Sequence, residues 1–253
     1  MDFSTLCMSF LVGILIGLTS MGGAALMAPF LILVLDVRPA LAVQTDLIYG
    51  AVTKIVGSVI HWRQGTVDWD IAKRMAWGSI PGGLAGSAVV IWLSRNNLSA
   101  DVYLKRAIGI ALVTVAIFLL VRLFGKWKLF DTEPYMEALR GWPCVAWGAL
   151  VGFCVGLTSV GSGSLIAPFL MMLFPKSAAK VVGTDVFHAA LLVTATGIIH
   201  ASQGGVDWPL VATLLCGSVP GVILGSHLAP QVPSRVLRTG LAVLLLATGL
   251  KMA

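Results

Sequence analysis

Residues 17–87 and 156–226 are two copies of one unit. Offset by 139 positions, the two stretches align without a gap and share 28 identities in 71 positions. The matches include polar residues: Thr45-Asp46 with Thr184-Asp185, His61 with His200, Gln64-Gly65 with Gln203-Gly204, and Val67-Asp68-Trp69 with Val206-Asp207-Trp208. Apolar sequences alike only in composition would not hold polar residues in register. Any fold of this chain must therefore pack two related halves, and internal duplication is a habit of secondary transporters.

Around the repeated residues lie eight apolar blocks: 3–35, 39–62, 71–94 and 102–125, then 143–174, 176–201, 209–229 and 233–252. The chain is 58% hydrophobic and 11% charged, with mean hydropathy +0.94. A soluble domain carries about 25% charged residues, and apolar windows longer than about 18 residues mark membrane-spanning helices. These features predict an all-α, multi-pass integral membrane protein. Its expected organisation is a first transmembrane repeat over 1–125, an interfacial linker over 126–142 and a second repeat over 143–253. Trp127, Tyr135 and Trp142 suit the linker to headgroup depth. The net charge of +6 is then loop charge facing cytoplasm and lipid headgroups, not a nucleic-acid footprint. Cys7, Cys144, Cys154 and Cys216 form no CxxC pair and read as small hydrophobes. The opening Met-Asp-Phe-Ser lacks a basic n-region, so no cleaved signal peptide is expected.

The first block is too long for one crossing. As a single helix its 33 residues would reach ~50 Å, against a hydrocarbon core of about 30 Å. Thr19-Ser20-Met21-Gly22-Gly23 divides it into two pieces, and Thr158-Ser159-Val160-Gly161-Ser162-Gly163 divides its counterpart. Two half-helices meeting at a turn fit the lengths, and so does one tilted, unwound crossing. Loop charge weighs the options. With a single crossing, each side of the membrane collects eight basic residues. With a re-entrant pair the repeats are inverted, and one side holds eleven: Arg63, Lys73, Arg74, Arg122, Lys126, Lys128, Arg140, Lys176, Lys180, Arg235 and Arg238. The other keeps Arg38, Arg95, Lys105, Arg106 and Lys251. Membrane proteins are asymmetric in this respect, which favours inversion.

The breaks are also where chemistry is expected. Unwound backbone inside a membrane must be packed in protein or line a cavity. Glycines at 22, 23, 161 and 163 let backbone approach a ligand. Thr19, Ser20, Thr158, Ser159 and Ser162 add hydroxyl donors, and the following half-helix aims its positive end at the turn. That set suits an anion. Asp46 and Asp185, each after a threonine (Thr45, Thr184), lie inside the second block of each half, where a charge is costly and usually faces a cavity or partner. They are candidates to carry protons, or alternatively caps near a helix start. Lys54, opposite Val193 in the repeat, could neutralise an anion or snorkel toward the interface. His188, opposite Tyr49, could relay protons or simply pack. Gly78, Gly82 and Gly86, with Gly217, Gly221 and Gly225, form a close-packing stripe, and Asp68 and Asp207 read as N-caps. Metal-ligand spacings, Walker loops, HExxH and GxSxG are all missing, so neither an enzyme, a metal nor a cofactor is expected.

The twice-used Gly-Leu-Thr-Ser-x-Gly…Ala-Pro-Phe-Leu, the Thr-Asp after an Ala-rich helix start, and Gly-x-Val-Asp-Trp leading to Gly-Ser-x-Pro-Gly resemble the TauE/SafE family of sulfite-exporter-like and sulfonate-uptake permeases. The likeness covers nearly the whole chain. Thr45-Asp46 and Thr184-Asp185 depart from it, since the family pattern usually carries Thr-Ser there. The resemblance implies transport of a small sulfur-containing anion, such as sulfite, sulfoacetate or another organosulfonate, across a bacterial inner membrane. The expected partners are that anion and the bilayer, an oligomer being compatible with both. A passive anion channel, or a transporter of another small organic anion, is the alternative.

Overall fold

The computed structural model describes residues 3–19, 24–96, 100–124, 140–173, 178–202, 206–228 and 234–253. These residues form ten helices and, among them, no strand. The first half contributes α1 (Phe3–Thr19), α2 (Ala24–Leu33), α3 (Pro39–Arg63), α4 (Trp69–Arg95) and α5 (Ala100–Phe124). The second contributes α6 (Trp142–Thr158), α7 (Ile166–Leu173), α8 (Ala178–Ser202), α9 (Trp208–Leu228) and α10 (Ser234–Met252).

In the second half the first apolar block is divided into two short helices, as the hydroxyl and glycine residues at 158–163 predict; the matching stretch 20–23 of the first half lies outside the described residues, between α1 and α2. In the second half the geometry of the division is visible. The Trp147 indole N–H donates to the Leu165 carbonyl at 3.3 Å. The Trp147 ring also stacks on Phe169, centroids 5.8 Å apart. A helix continuing past residue 158 would carry Phe169 far from Trp147, so the chain folds back along α6. The linker expected over 126–142 falls largely outside the described residues; Trp142, its last residue, opens α6 and is 77% exposed.

Packing follows the duplication. Every fourth glycine of α4 meets backbone of α6: a Cβ on Gly78, Gly82 or Gly86 would stand 2.0, 2.3 or 2.3 Å from the carbonyl oxygens of Val145, Ala149 and Phe153. The matching glycines of α9 meet α1 at the corresponding places. Gly217, Gly221 and Gly225 back onto the carbonyls of Leu6, Phe10 and Ile14. A side chain cannot be inserted there, so the stripe serves packing. Pro81 and Pro220 lie inside uninterrupted helices between these contacts.

The residues that touch also give direction. Contacts climb together along α1 and α9, and along α4 and α6, so both pairs run parallel. The third helices, α3 and α8, run antiparallel: Gly57 abuts Val186, Gly197 lies against Leu47, and Gly183 meets Thr66. Their crossing therefore falls near Val52 and Leu191. The last helices of each half, α5 and α10, are antiparallel too, Gly109 meeting Ala253 and Gly249 meeting Val113. First and fourth elements exchange partners between halves, while third pairs with third and fifth with fifth. That is the signature of pseudo-twofold symmetry.

Among the described residues, four helices have spans long and apolar enough to cross a membrane: Trp69–Arg95, Asp101–Val121, Ala179–Ser202 and Trp208–Gly225. Large apolar side chains also face outward along the helices, including Trp77 at 78%, Ile198 at 64% and Leu250 at 65% exposure. Lipid accepts such a surface and water does not. Helix ends carry exposed tryptophans, namely Trp62, Trp69, Trp142 and Trp208, at the places that favour an interface. The capping expectation also holds. Asp68 Oδ1 accepts from Ile71 N at 3.1 Å, and Asp207 Oδ1 accepts from Leu210 N at 3.0 Å.

Candidate functional site

The turn between α6 and α7 owes its shape to its own residues. Ser159 ends α6 in the left-handed region at φ +60°, and its N–H returns to Val155 O at 2.7 Å. Gly161 takes φ +114°, a conformation L side chains rarely adopt. The Thr158 hydroxyl donates to Cys154 O at 2.7 Å and accepts from Val160 N at 3.2 Å, stitching the turn to the helix. Residues 158–164 are all buried, so this polar backbone sits inside the protein, with the first N–H groups of α7 directed back at it.

Two side chains of α3 reach that turn. Ser159 Oγ donates to Asp46 Oδ2 at 2.7 Å, and the Lys54 ammonium donates to Ser162 Oγ. Both are interior groups: Asp46 is 0% and Lys54 9% exposed. Asp46 lies two turns inside α3, so it is not a cap, and Lys54 does not snorkel. One helix carries them eight residues apart, ~12 Å in rise, and they do not touch. Each instead bonds the turn that lies across from α3.

The opposing helix α8 completes the arrangement. Asp185, 6% exposed, is the stronger electrostatic neighbour of the Lys54 ammonium, with Asp46 next. Lys54 is thus within electrostatic reach of two buried carboxylates, about half a turn from the crossing of α3 and α8. His188, fully buried, has Nε2 2.7 Å from Ser79 Oγ of α4. The pseudo-symmetric pair, Tyr49 and Ser218, is likewise adjacent, although its hydroxyls fall outside hydrogen-bonding geometry.

Several buried polar atoms here have no hydrogen-bond partner among the described residues: Thr45 Oγ1, Asp46 Oδ1, Asp185 Oδ1 and His188 Nδ1. Buried polar groups are normally satisfied, and these atoms keep hydrogen-bonding capacity that the described residues leave unused. Asp46, Gly50 and Lys54 follow one another at four-residue steps on one face of α3. Gly50 is buried, yet a Cβ on it would meet nothing within 4 Å. Open room lies over α3 between the acid and the amine.

The structure therefore brings Asp46 and Lys54 of α3 together with Ser159 and Ser162 of the α6–α7 turn, while Asp185 and His188 lie buried on α8, His188 beside Ser79 of α4. Thr184 is employed elsewhere, its Oγ1 accepting the Asp68 N–H at 2.9 Å where α4 begins. Gly163 serves the turn through its carbonyl, which accepts from Ala167 N at 3.2 Å. Ser20, Gly22 and Gly23 lie outside the described residues, and Thr19 is the last residue of α1. Ser79 and Tyr49 escaped the sequence reading. The sequence does carry a signal for Ser79, because Gly-Ser at 78–79 recurs at 217–218. Among the described residues, no group of three or more His, Cys, Asp or Glu side chains is placed to hold a metal ion.

A family model for the sulfite exporter TauE/SafE matches residues 5–252. The chain is 43% identical over 259 residues to the probable membrane transporter protein YjnA of Bacillus subtilis, covering 100% of both chains. It is 26% identical to a second B. subtilis protein, the probable membrane transporter YunE, over 94% of this chain and 91% of that one. A probable membrane transporter of Methanocaldococcus jannaschii is 25% identical over 96% of this chain and 92% of its own. No solved structure matches.

Proposed function

The chain belongs to the TauE/SafE sulfite exporter family and is a membrane transporter; from that premise we propose that it moves a small sulfur-containing anion by proton-coupled alternating access. Sulfite, sulfoacetate and other organosulfonates are the substrates in view. One observation carries this reading: a buried ammonium, Lys54, is bonded to a helix break and lies within electrostatic reach of two buried carboxylates. An anion arriving at Lys54 meets an ammonium bonded to Ser162 and to no carboxylate among the described residues. Ser159, Ser162 and the backbone at Gly161 and Gly163 offer donors to the anion's oxygens. Thr19, Ser20, Gly22 and Gly23 offer the same from the first half. Asp46 and Asp185 carry the coupling protons, and His188, held by Ser79, is the relay.

Alternating access follows from two repeats, residues 1–125 and 143–253, inverted about an axis in the membrane plane. Antiparallel α3 and α8, each the third element of its half, support this arrangement. So does charge. Thr66 meets Gly183, and Arg74 donates to the Arg140 carbonyl at 3.0 Å. Those contacts bring Arg63, Lys73, Arg74, Arg140 and Lys180 to one end of the molecule, which is the cytoplasmic end under the positive-inside rule. The membrane in question is the bacterial inner membrane.

Flux of labelled sulfite or sulfonate into proteoliposomes, with and without a pH gradient, tests the proposal. A pH gradient drives accumulation in the wild type and fails to do so in the Asp46→Asn/Asp185→Asn double variant. Unchanged accumulation in that variant removes the proton role. Flux that no pH gradient can drive uphill makes the protein a passive anion channel.

A further inference from the structure

The charge inventory of the site limits what it can take. Titratable groups come from two helices: Asp46, Tyr49 and Lys54 on α3, and Asp185 and His188 on α8. One amine is matched against two acids. Duplication did not supply a second amine, since Val193 stands where the repeat places the counterpart of Lys54. Nor is one required, because Lys54 lies beside the crossing of α3 and α8 and serves both halves from near the pseudo-twofold axis.

The room for a ligand is equally confined. It lies over Gly50, with Lys54 one turn along α3 in one direction and Asp46 one turn in the other. An oxyanion there accepts from the Lys54 ammonium. Its other oxygens face Asp46, whose Oδ1 is buried and without a partner among the described residues. An ionised carboxylate repels it; a protonated one donates to it. A monoanion with one protonated aspartate leaves the site's net charge as it was with both acids ionised. A dianion needs a second proton to reach the same balance, in an interior where surplus charge is poorly screened.

Building on the proposed anion transport, we propose that the chain binds one monovalent oxyanion at a time, over Gly50 between Lys54 and Asp46, and discriminates against dianions. Within the organosulfonates this selects monosulfonates over sulfonates bearing a second acid.

Isethionate and sulfoacetate test this directly, because they share the sulfonate head and differ in charge. Titration calorimetry on the full-length protein in detergent is expected to give one isethionate per chain. Sulfoacetate is expected to bind at least tenfold more weakly at neutral pH. Lys54→Gln loses isethionate affinity by tenfold or more and Lys54→Arg restores part of it. Gly50→Leu fills the room and abolishes binding while the melting temperature is kept. Two isethionates per chain, sulfoacetate bound as tightly as isethionate, or full affinity in Gly50→Leu each overturn the proposal. Preferred binding of sulfoacetate would leave anion transport standing and sink the monovalent selection alone. Binding of neither compound, nor of sulfite, would sink both. Should Lys54→Gln not fold, the comparison of the two ligands on the wild type still decides.

Discussion

Asp46 and Ser159 show how much one buried contact can be asked to do. The Ser159 hydroxyl is the donor to Asp46 Oδ2, and the other carboxylate oxygen has no partner among the described residues. Ser159→Ala leaves that acid without its donor, and hydrogen bonds to charged groups are worth about 1.5–3 kcal/mol. The expected result is a lowered melting temperature in detergent, with Ser159→Thr recovering most of the loss. A variant as stable as the wild type would mean the hydroxyl does not hold the carboxylate. At this scale the sequence was legible where depth and duplication coincided. Asp46, Asp185 and Lys54 stand out because charge inside an apolar block needs a reason. Their partners were not legible. Ser159 and Ser162 are 113 and 108 residues from the groups they bond, and spacing along the chain carries no information about such pairs. Thr184 looks like Thr45 in the repeat, yet its hydroxyl caps the approach to α4 while that of Thr45 does not.

At the scale of elements, close packing sets the geometry in which these side chains meet. The α4–α6 and α1–α9 pairs approach so nearly that carbonyl oxygens occupy the space a β-carbon would need. Gly82→Ala and Gly221→Ala put that carbon 2.3 Å from the Ala149 and Phe10 oxygens respectively, so the helices must separate. Overpacking of this kind costs about 1–3 kcal/mol, read as a lower melting temperature for both variants. Gly240→Ala is the control: nothing lies within 4 Å of its Cβ position in α10, and a mid-helix Gly→Ala change gains about 0.5–1 kcal/mol. Equal behaviour of all three would refute the packing role of the stripe. The division of the long blocks was readable from length and from Thr-Ser and glycine residues. The fold-back of α7 on α6 was not, because it rests on Trp147 meeting Leu165 and Phe169, an aromatic contact with no periodicity to announce it.

At the scale of the molecule, the proposed inversion of the repeats makes a prediction about sides. Antiparallel α3 and α8 put Arg63 near the start of α8 and hence on the side of Lys180. The α5–α10 pair puts Lys105 and Arg106 on the side of Lys251. Following the chain through the helices, α1 starts on the side of Lys251, and its repeat counterpart α6 starts on the side of Arg63. Under the proposed inversion the first helices of the two halves enter from opposite faces. Single cysteines in a background lacking the native four can be labelled with a membrane-impermeant thiol reagent in intact cells and in inverted vesicles. Arg63→Cys and Lys180→Cys are expected to react only from the cytoplasmic face, and Arg95→Cys and Lys251→Cys only from the other. The loop counts alone would tolerate parallel repeats with eight basic residues on each side. Parallel repeats would give α3 and α8 one orientation, so the residue at 63 and the residue at 180 would label from opposite faces. That outcome would also part the two helices whose contact brings Lys54 within electrostatic reach of Asp185, and a common site for the two halves would be lost with it.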